Sequence, residues 1–223
     1  MTSEGLLRDR IAALFDAPVA VVHGAPAIVA GDLFPEEREH VRRAVPKRQA
    51  EFGTARVCAR IALAELGYAA QALHPWPDRS PRWPEGAVGT ITHCDDFCAV
   101  VVARAGEARG LGLDAEPDAP LEAALVPLIC TPRELAWLDT RPPADRGHLA
   151  KIVFCAKEAF YKCQYPTTRA YLDFLDVAID LQPGPRRFSV RIVGREVPHA
   201  RLAEDARGRF DVADGRVLAG ATL

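Results

Sequence analysis

No run of apolar residues in this chain is long enough to cross a bilayer, so membrane spans are not expected. The first residues, Met1-Thr2-Ser3-Glu4, lack the basic start and apolar stretch of an export signal. Six cysteines in 223 residues are too few for a disulfide scaffold. With no export signal they read as reduced, cytoplasmic thiols. Neither sign of charge dominates: 28 Lys and Arg stand against 30 Asp and Glu, for a net charge of -2. That excludes a global basic footprint for nucleic acid and leaves room only for a local basic cleft. Internal repeats and low-complexity tracts are also missing. What is there is an ordinary globular mixture, 49% hydrophobic and 26% charged, long enough for one large domain or two small ones.

Apolar periodicity predicts a long helix over Lys47–Leu66, where Phe52, Ala55, Ala59, Ala62 and Leu66 share a face and Gly67 follows as a stop. A shorter helix starts at Pro35, a favoured first-turn residue. His74 to Gly86, crowded with Pro and Trp, reads as an ordered loop. Val88–His93 and Phe97–Ala103 read as strands joined by a turn at Cys94-Asp95-Asp96. Ala105–Gly110 is a small, polar, glycine-bearing boundary that divides the chain into halves 1–109 and 110–223. In the second half, Leu111–Glu116 reads as a strand. Thr131-Pro132-Arg133-Glu134 is a capping box that opens a helix. Arg146–Gln164 is a longer helix with Leu149, Ile152, Ala156, Phe160 and Cys163 along one stripe. The tail reads as strands Phe174–Leu181 and Arg187–Val193, followed by a hairpin that turns at Asp214-Gly215. Helices with small, mainly antiparallel sheets in each half make the fold class α+β, without βαβ alternation.

Four groups of residues could carry chemistry. In the strand Leu111–Glu116, Leu111, Leu113 and Ala115 face one way and Gly112, Asp114 and Glu116 the other. Carboxylates at i and i+2 lie roughly 6–7 Å apart at their Cα atoms. They can converge on one hard cation such as Mg²⁺, which takes oxygens at about 2.1 Å. The glycines leave space for something bulky against the strand. On the long helix of the second half, Glu158 and Lys162 share a face at i and i+4, with Lys157 one step round. A carboxylate between two ammonium groups can hold a metal while the lysines meet phosphates. Thr92 and His93 close a strand, where a hydroxyl and an imidazole suit an anion. Arg48 and Arg56, about 12 Å apart along their helix, can bracket an extended polyphosphate. Taken singly, each pattern also fits a solvated acid, an intrahelical ion pair, a turn histidine or an exposed basic face. Zinc at His93, Cys94 and Cys98 lacks a second ligand pair at suitable spacing.

Four blocks stand in a single order: Arg48…Glu51-Phe52…Arg56, then Trp83-Pro84…Gly86…Gly89-Thr90-Ile91-Thr92-His93, then Gly112-Leu113-Asp114-Ala115-Glu116, then Lys157-Glu158-Ala159…Lys162. Together they resemble the Sfp-type 4′-phosphopantetheinyl transferases, in the EntD-like branch typical of actinobacteria. The resemblance runs from about Arg38 to Leu175. It departs from the family at Phe154, where Trp is usual, and at Thr92, where Ser is common.

The resemblance implies transfer of the phosphopantetheine arm of coenzyme A to a serine of an apo carrier protein, with release of adenosine 3′,5′-bisphosphate. It implies two similar halves related by a pseudo-twofold, with CoA in the cleft between them, and a monomer. Asp114, Glu116 and Glu158 would coordinate Mg²⁺, with water in place of a ligand at Ala115. Glu158 would be the base, directly or through a metal-bound water. Lys162 would stabilise or protonate the leaving phosphate. Lys157 and His93 would hold the pyrophosphate or the 3′-phosphate. Arg48 and Arg56 would take the 3′-phosphate and adenine side, Arg79 would supply the basic residue before Trp-Pro, and Thr92 would line the nucleotide pocket. Tyr161, Tyr171 and Phe174 would flank the pantetheine arm, and Lys151 or Arg169 would belong to a basic rim for an acidic carrier. Such carriers belong to fatty acid, polyketide, nonribosomal peptide and siderophore synthases. The alternatives are a Mg²⁺-dependent phosphohydrolase acting on CoA or a nucleotide, and a non-catalytic module that binds CoA or a carrier.

Overall fold

The computed structural model describes residues 3–27, 30–193 and 205–223. In chain order the elements are α1 (Ser3–Ala12), β1 (Ala20–Gly24), α2 (Pro35–Val41), α3 (Pro46–Glu65), β2 (Ala87–Cys94), β3 (Phe97–Arg104), β4 (Leu111–Pro117), α4 (Val126–Ile129), α5 (Pro132–Asp139), α6 (Pro143–Thr168), β5 (Val177–Gln182), β6 (Arg187–Ile192), β7 (Arg207–Ala213) and β8 (Arg216–Thr222). The fold class is α+β. The strands form two antiparallel sheets, β1-β3-β2 and β4-β8-β7-β6-β5.

In the first sheet β3 is central and buried on both faces, which its unbroken run Phe97 to Ala103 anticipates. Val100 and Val102 pack under Cys58, Ala59, Ala62 and Leu63 of α3. Ala99, Val101 and Ala103 face the other way, into a core shared with Ile11 of α1, Leu14 just after it, Leu111 and Leu113 of β4, and Leu218 of β8. The two sheets therefore close over one apolar layer. α6 covers the second sheet, burying Val153, Ala156, Ala159, Phe160 and Cys163 against β5 to β8.

Between the sheets, β2 and β4 run side by side without a backbone ladder. Thr90 Oγ1 accepts from the Leu113 N–H at 3.0 Å, and Thr92 Oγ1 accepts from the Ala115 N–H at 3.2 Å. Both threonines are buried. Their hydroxyls satisfy edge N–H groups that would otherwise be stranded, each at a penalty of about 1–3 kcal/mol.

Boundaries shift from the sequence expectations for local reasons. α6 is longer than Arg146–Gln164. Pro143 opens it, and it runs through Pro166 to end on Arg169 in the left-handed region, φ 54°. Phe174 to Asp176 is not strand but a 3₁₀ turn, because the Asp173 side chain caps the Phe174 N–H. α1 and β1 carry signals too short to stand out in the sequence. The Asp214-Gly215 turn has φ of 52° and 69°, as a two-residue hairpin of this type requires. The space at the β4 glycines is filled by α6: a Cβ at Gly112 would land on the Ala159 carbonyl oxygen, and one at Gly110 on that of Cys163.

Gly112→Ala tests this contact. Backbone meets backbone there, so no rotamer change relieves the overlap. We expect a loss of about 3 kcal/mol or more in urea unfolding, against no measurable change for Gly184→Ala, which has open space around it.

Candidate active site

β4 and α6 bring Asp114 and Lys162 together. Lys162 Nζ lies 2.7 Å from Asp114 Oδ1, 3.2 Å from the Leu113 carbonyl and 3.4 Å from Thr92 Oγ1. Burial works against the ammonium, but Asp114, and more weakly Glu158, outweigh it and hold the Lys162 pKa above its ordinary value. The helical i, i+4 pairing with Glu158 thus gives way to a cross-element pair with Asp114. The second oxygen, Asp114 Oδ2, is buried with no partner among the described residues. An unpartnered carboxylate oxygen is costly unless a cation or water meets it.

Glu158 sits beside this pair, partly buried. Desolvation first, then the negative charges of Asp114 and Glu116, push its carboxyl pKa up, with Lys162 opposing. Glu116, at the end of β4, accepts from Lys151 at 3.2 Å. Two ammonium groups therefore stand against two of the three carboxylates. Among the described residues, no three His, Cys, Asp or Glu side chains are drawn around a common point. The hard oxygen donors, the bare Asp114 Oδ2 and the mutual repulsion felt by Glu158 nevertheless fit a divalent cation.

Across β2 lies a cavity of about 520 Å³, lined by Arg48, Glu51, Phe52, Arg56, Arg79 and His93 among others. Four of the residues expected on the nucleotide side share it. Arg56 is buried, donates through Nε to the Leu73 carbonyl at 2.8 Å, and stacks 4.1 Å over the Phe52 ring. Desolvation, with Arg48 and Arg60 nearby, pulls its pKa down to about 10 although Glu37 opposes the shift. His93 Nε2 lies 3.4 Å from Arg48. Burial, then Arg48 and Lys162, hold the imidazole below its ordinary pKa against the attraction of Glu51. Cations pressed together in a cavity favour an anionic ligand.

Two residues stand elsewhere than expected. Thr92 does not line this cavity. Its hydroxyl is turned into the β2–β4 seam, where it also donates to Asp114 Oδ1 at 3.4 Å. Lys157 is 2% exposed at its side chain and meets the Ile129 carbonyl (2.7 Å), the Phe174 carbonyl (2.8 Å) and Glu134 Oε2 (2.7 Å). All three ammonium protons are taken, so none is left for a phosphate. Glu134 in turn accepts from the Thr131 and Ile179 N–H groups. The helical period held this signal: Lys157 lies four residues after Val153 and three before Phe160, both buried.

A smaller groove, about 190 Å³, lies along Glu158, Tyr161, Tyr171 and Phe174. Of the two basic rim candidates, Lys151 is engaged by Glu116 and Arg169 by Asp78. Sequence reasoning passed over Glu134, whose only sign was its place in the capping box, and Asp78, whose sign was its position between Pro77 and Ser80 in a turn-forming run.

The chain matches two family models, "4'-phosphopantetheinyl transferase N-terminal domain" over residues 36–103 and "4'-phosphopantetheinyl transferase superfamily" over residues 110–215. It is 39% identical over 216 residues to 4'-phosphopantetheinyl transferase Svp of Streptomyces mobaraensis, covering 93% of this chain and 87% of that protein. It is 40% identical over 193 residues to 4'-phosphopantetheinyl transferase Npt of Nocardia iowensis, covering 82% and 86%. Against 4'-phosphopantetheinyl transferase PptT of Mycobacterium tuberculosis it is 37% identical over 194 residues, covering 85% of each. With residues 36–103 and 110–215 both matched, the chain belongs to the 4′-phosphopantetheinyl transferase family, enzymes that move the phosphopantetheine arm of coenzyme A onto carrier proteins.

Proposed function

We propose that the two sides of β2 divide the reaction, the arginine-lined cavity holding the nucleotide of CoA and the Asp114–Glu158 side doing the transfer. One observation carries this. His93, which lines the cavity, and Thr92, which touches Asp114 and Lys162, are consecutive residues. A pyrophosphate leaving the cavity at His93 therefore comes directly to the carboxylates. The halves 1–109 and 110–223 each supply one side.

In this reading Arg48, Arg56 and Arg79 meet the 3′-phosphate and adenine end. The Arg56 charge is the most desolvated of the three, and among the described residues its terminal nitrogens have no hydrogen-bond partner. His93, exposed at the cavity wall, donates or accepts at the pyrophosphate. Asp114, through its unpartnered Oδ2, Glu116 and Glu158 would hold Mg²⁺, with Lys151 giving way at Glu116 and Lys162 keeping Asp114 Oδ1. When bound there, a divalent cation offsets the charge on the pyrophosphate and on the departing oxygen. Glu158, its basicity raised by burial and its acidic neighbours, takes the proton of the carrier serine. The serine oxygen bonds to the β-phosphorus as the bond to the adenosine 3′,5′-bisphosphate oxygen breaks. Lys162, held protonated by Asp114, acts as a fixed positive charge on the leaving phosphate rather than as its acid. The groove along Tyr161, Tyr171 and Phe174 leads away from Glu158 and takes the pantetheine arm. Lys157 and Thr92 hold the frame. We further infer a cytoplasmic monomer, since the six free thiols suit a reducing compartment.

Intact-mass measurement of an apo carrier, drawn from a polyketide and a peptide synthase in turn, with CoA and Mg²⁺ present, checks the transfer. The parent chain adds one phosphopantetheine per carrier. Glu158→Gln lowers the rate by about 10²–10⁴-fold, and chelation of the metal abolishes transfer. An unmodified carrier alongside consumed CoA would point instead to hydrolysis. Lys157→Met acts differently, because it strands the Glu134 carboxylate. We expect a loss of about 3–5 kcal/mol in stability, read in urea unfolding.

The depressed pKa of His93 gives a pH test. A phosphate beside it raises that pKa, so CoA binding takes up a proton and tightens as pH falls through the imidazole range. Calorimetric affinity should improve more between about pH 7.5 and about pH 6 for the parent chain than for His93→Gln. Equal pH slopes would remove His93 from the phosphate site.

A further inference from the structure

The run from His74 to Arg82 is a miniature hairpin rather than a plain loop. Pro75 and Pro81 form an isolated bridge. The Trp76 N–H donates to the Ser80 carbonyl and the Arg82 N–H to that of His74, each at 2.8 Å. At its tip, both oxygens of the Asp78 carboxylate are engaged. Oδ1 accepts from the Ser80 N–H at 2.9 Å and from the Ser80 hydroxyl at 2.6 Å. Oδ2 accepts from the Tyr165 hydroxyl at 3.1 Å and from Arg169 Nη1 at 3.0 Å.

The last two partners belong to the end of α6, so a first-half hairpin is fastened to the helix that carries Glu158 and Lys162. The Arg169 guanidinium also lies over the Trp76 ring at 5.5 Å and the Tyr165 ring at 5.6 Å. A lone exposed ion pair would contribute little. Here a shared carboxylate, a hydroxyl and two aromatic faces hold one guanidinium in place.

The residue after Asp78 is Arg79, with φ 70°, a left-handed backbone that a side chain with a Cβ enters at a penalty of about 1–2 kcal/mol. Arg79 lines the basic cavity. The Arg79 N–H donates to the Trp76 carbonyl at 2.8 Å, so the turn sets this backbone, and the contacts of Asp78 with α6 set where the tip lies.

We propose that Asp78 is a positioning residue, clasping the hairpin to Tyr165 and Arg169 of the catalytic helix and thereby setting Arg79 over the nucleotide of CoA. This rests on the reading of the cavity as the CoA nucleotide site. It makes ligand affinity in the first half depend on a contact with the second.

The test is calorimetric titration of the full chain, without carrier, by CoA and by adenosine 3′,5′-bisphosphate. Asp78→Ala should raise both dissociation constants about tenfold. Tyr165→Phe, which removes one donor and leaves the fold intact, should raise them about two- to threefold. In turnover the effect should read on the KM for CoA and not on that for the carrier. Asp78→Ala combined with Arg79→Ala should bind no more weakly than Arg79→Ala alone, since Asp78 acts through Arg79. Additive losses would make Asp78 a merely structural residue and overturn the proposal. If Arg48→Ala and Arg79→Ala weaken binding while Asp78→Ala does not, the clasp fails and the cavity assignment stands. If neither arginine variant changes CoA affinity, the cavity assignment fails and the clasp's role falls with it.

Discussion

Two buried threonine hydroxyls take the N–H groups of Leu113 and Ala115, and the placing of β2 against β4 follows from that seam. A full backbone ladder between β2 and β4 would merge the sheets into one, with both strands at a single spacing. A side-chain bridge keeps the strands adjacent but leaves their backbones apart. It also makes Thr92 answer to both sides, holding the Ala115 N–H, the Asp114 carboxylate and the Lys162 ammonium. Valine would match threonine in shape and lose all three contacts. Serine would keep the hydroxyl with a freer χ1, whereas the branched side chain is stiff and fixes the acceptor's direction.

A second constraint lies on the face of β4 that α6 covers. Gly110 and Gly112 let the α6 backbone lie directly on β4, so Lys162 reaches Asp114 from above rather than across a layer of side chains. Carboxylates so placed repel one another, and the raised Glu158 pKa records that repulsion together with its burial. Lys151 and Lys162 offset the excess negative charge. A site of this kind is under electrostatic tension, and the proposed places of a divalent ion at its oxygens and of a proton at Glu158 are the two ways of relieving it.

Much of this was legible in the chain. The strand and helix bearing the carboxylates, the β2–β3 hairpin and Arg48, Arg56 and His93 followed from local patterns or from the order of the four blocks, while Arg79 came only from the family resemblance. What escaped has physical causes. α1 and β1 are short and are stabilised by long-range contacts, such as Arg10 with Asp211 and Leu14 against Gly220, which no local window contains. Space at Gly112 could be assigned to a ligand or to a helix, and only packing decides that it is α6. The capping box at Thr131 predicted a helix start correctly. Nothing local showed that its Glu134 also neutralises a lysine on another helix and receives an N–H from β5. For Lys157 the period pointed inward, while its adjacency to Glu158 suggested the opposite face.

That adjacency is itself informative. Consecutive residues on an α-helix point about 100° apart, so the Lys157 ammonium turns to buried acceptors while Glu158 turns toward Asp114, although both line the small groove. Lys157 fixes one direction by binding the Ile129 and Phe174 carbonyls and Glu134, contributed by α4, the 3₁₀ turn and α5. With three acceptors around one ammonium, α6 can neither rotate about its axis nor slide without breaking charge-assisted hydrogen bonds in a buried setting. Gly112 sets the height of the helix on the sheet, and Lys157 sets its rotation. Glu158 and Lys162 are then aimed at Asp114 with no adjustment left to their own flexible side chains beyond the last few torsions. Lys157 therefore matters to the orientation of Glu158, because direction is imposed from the buried side of the helix.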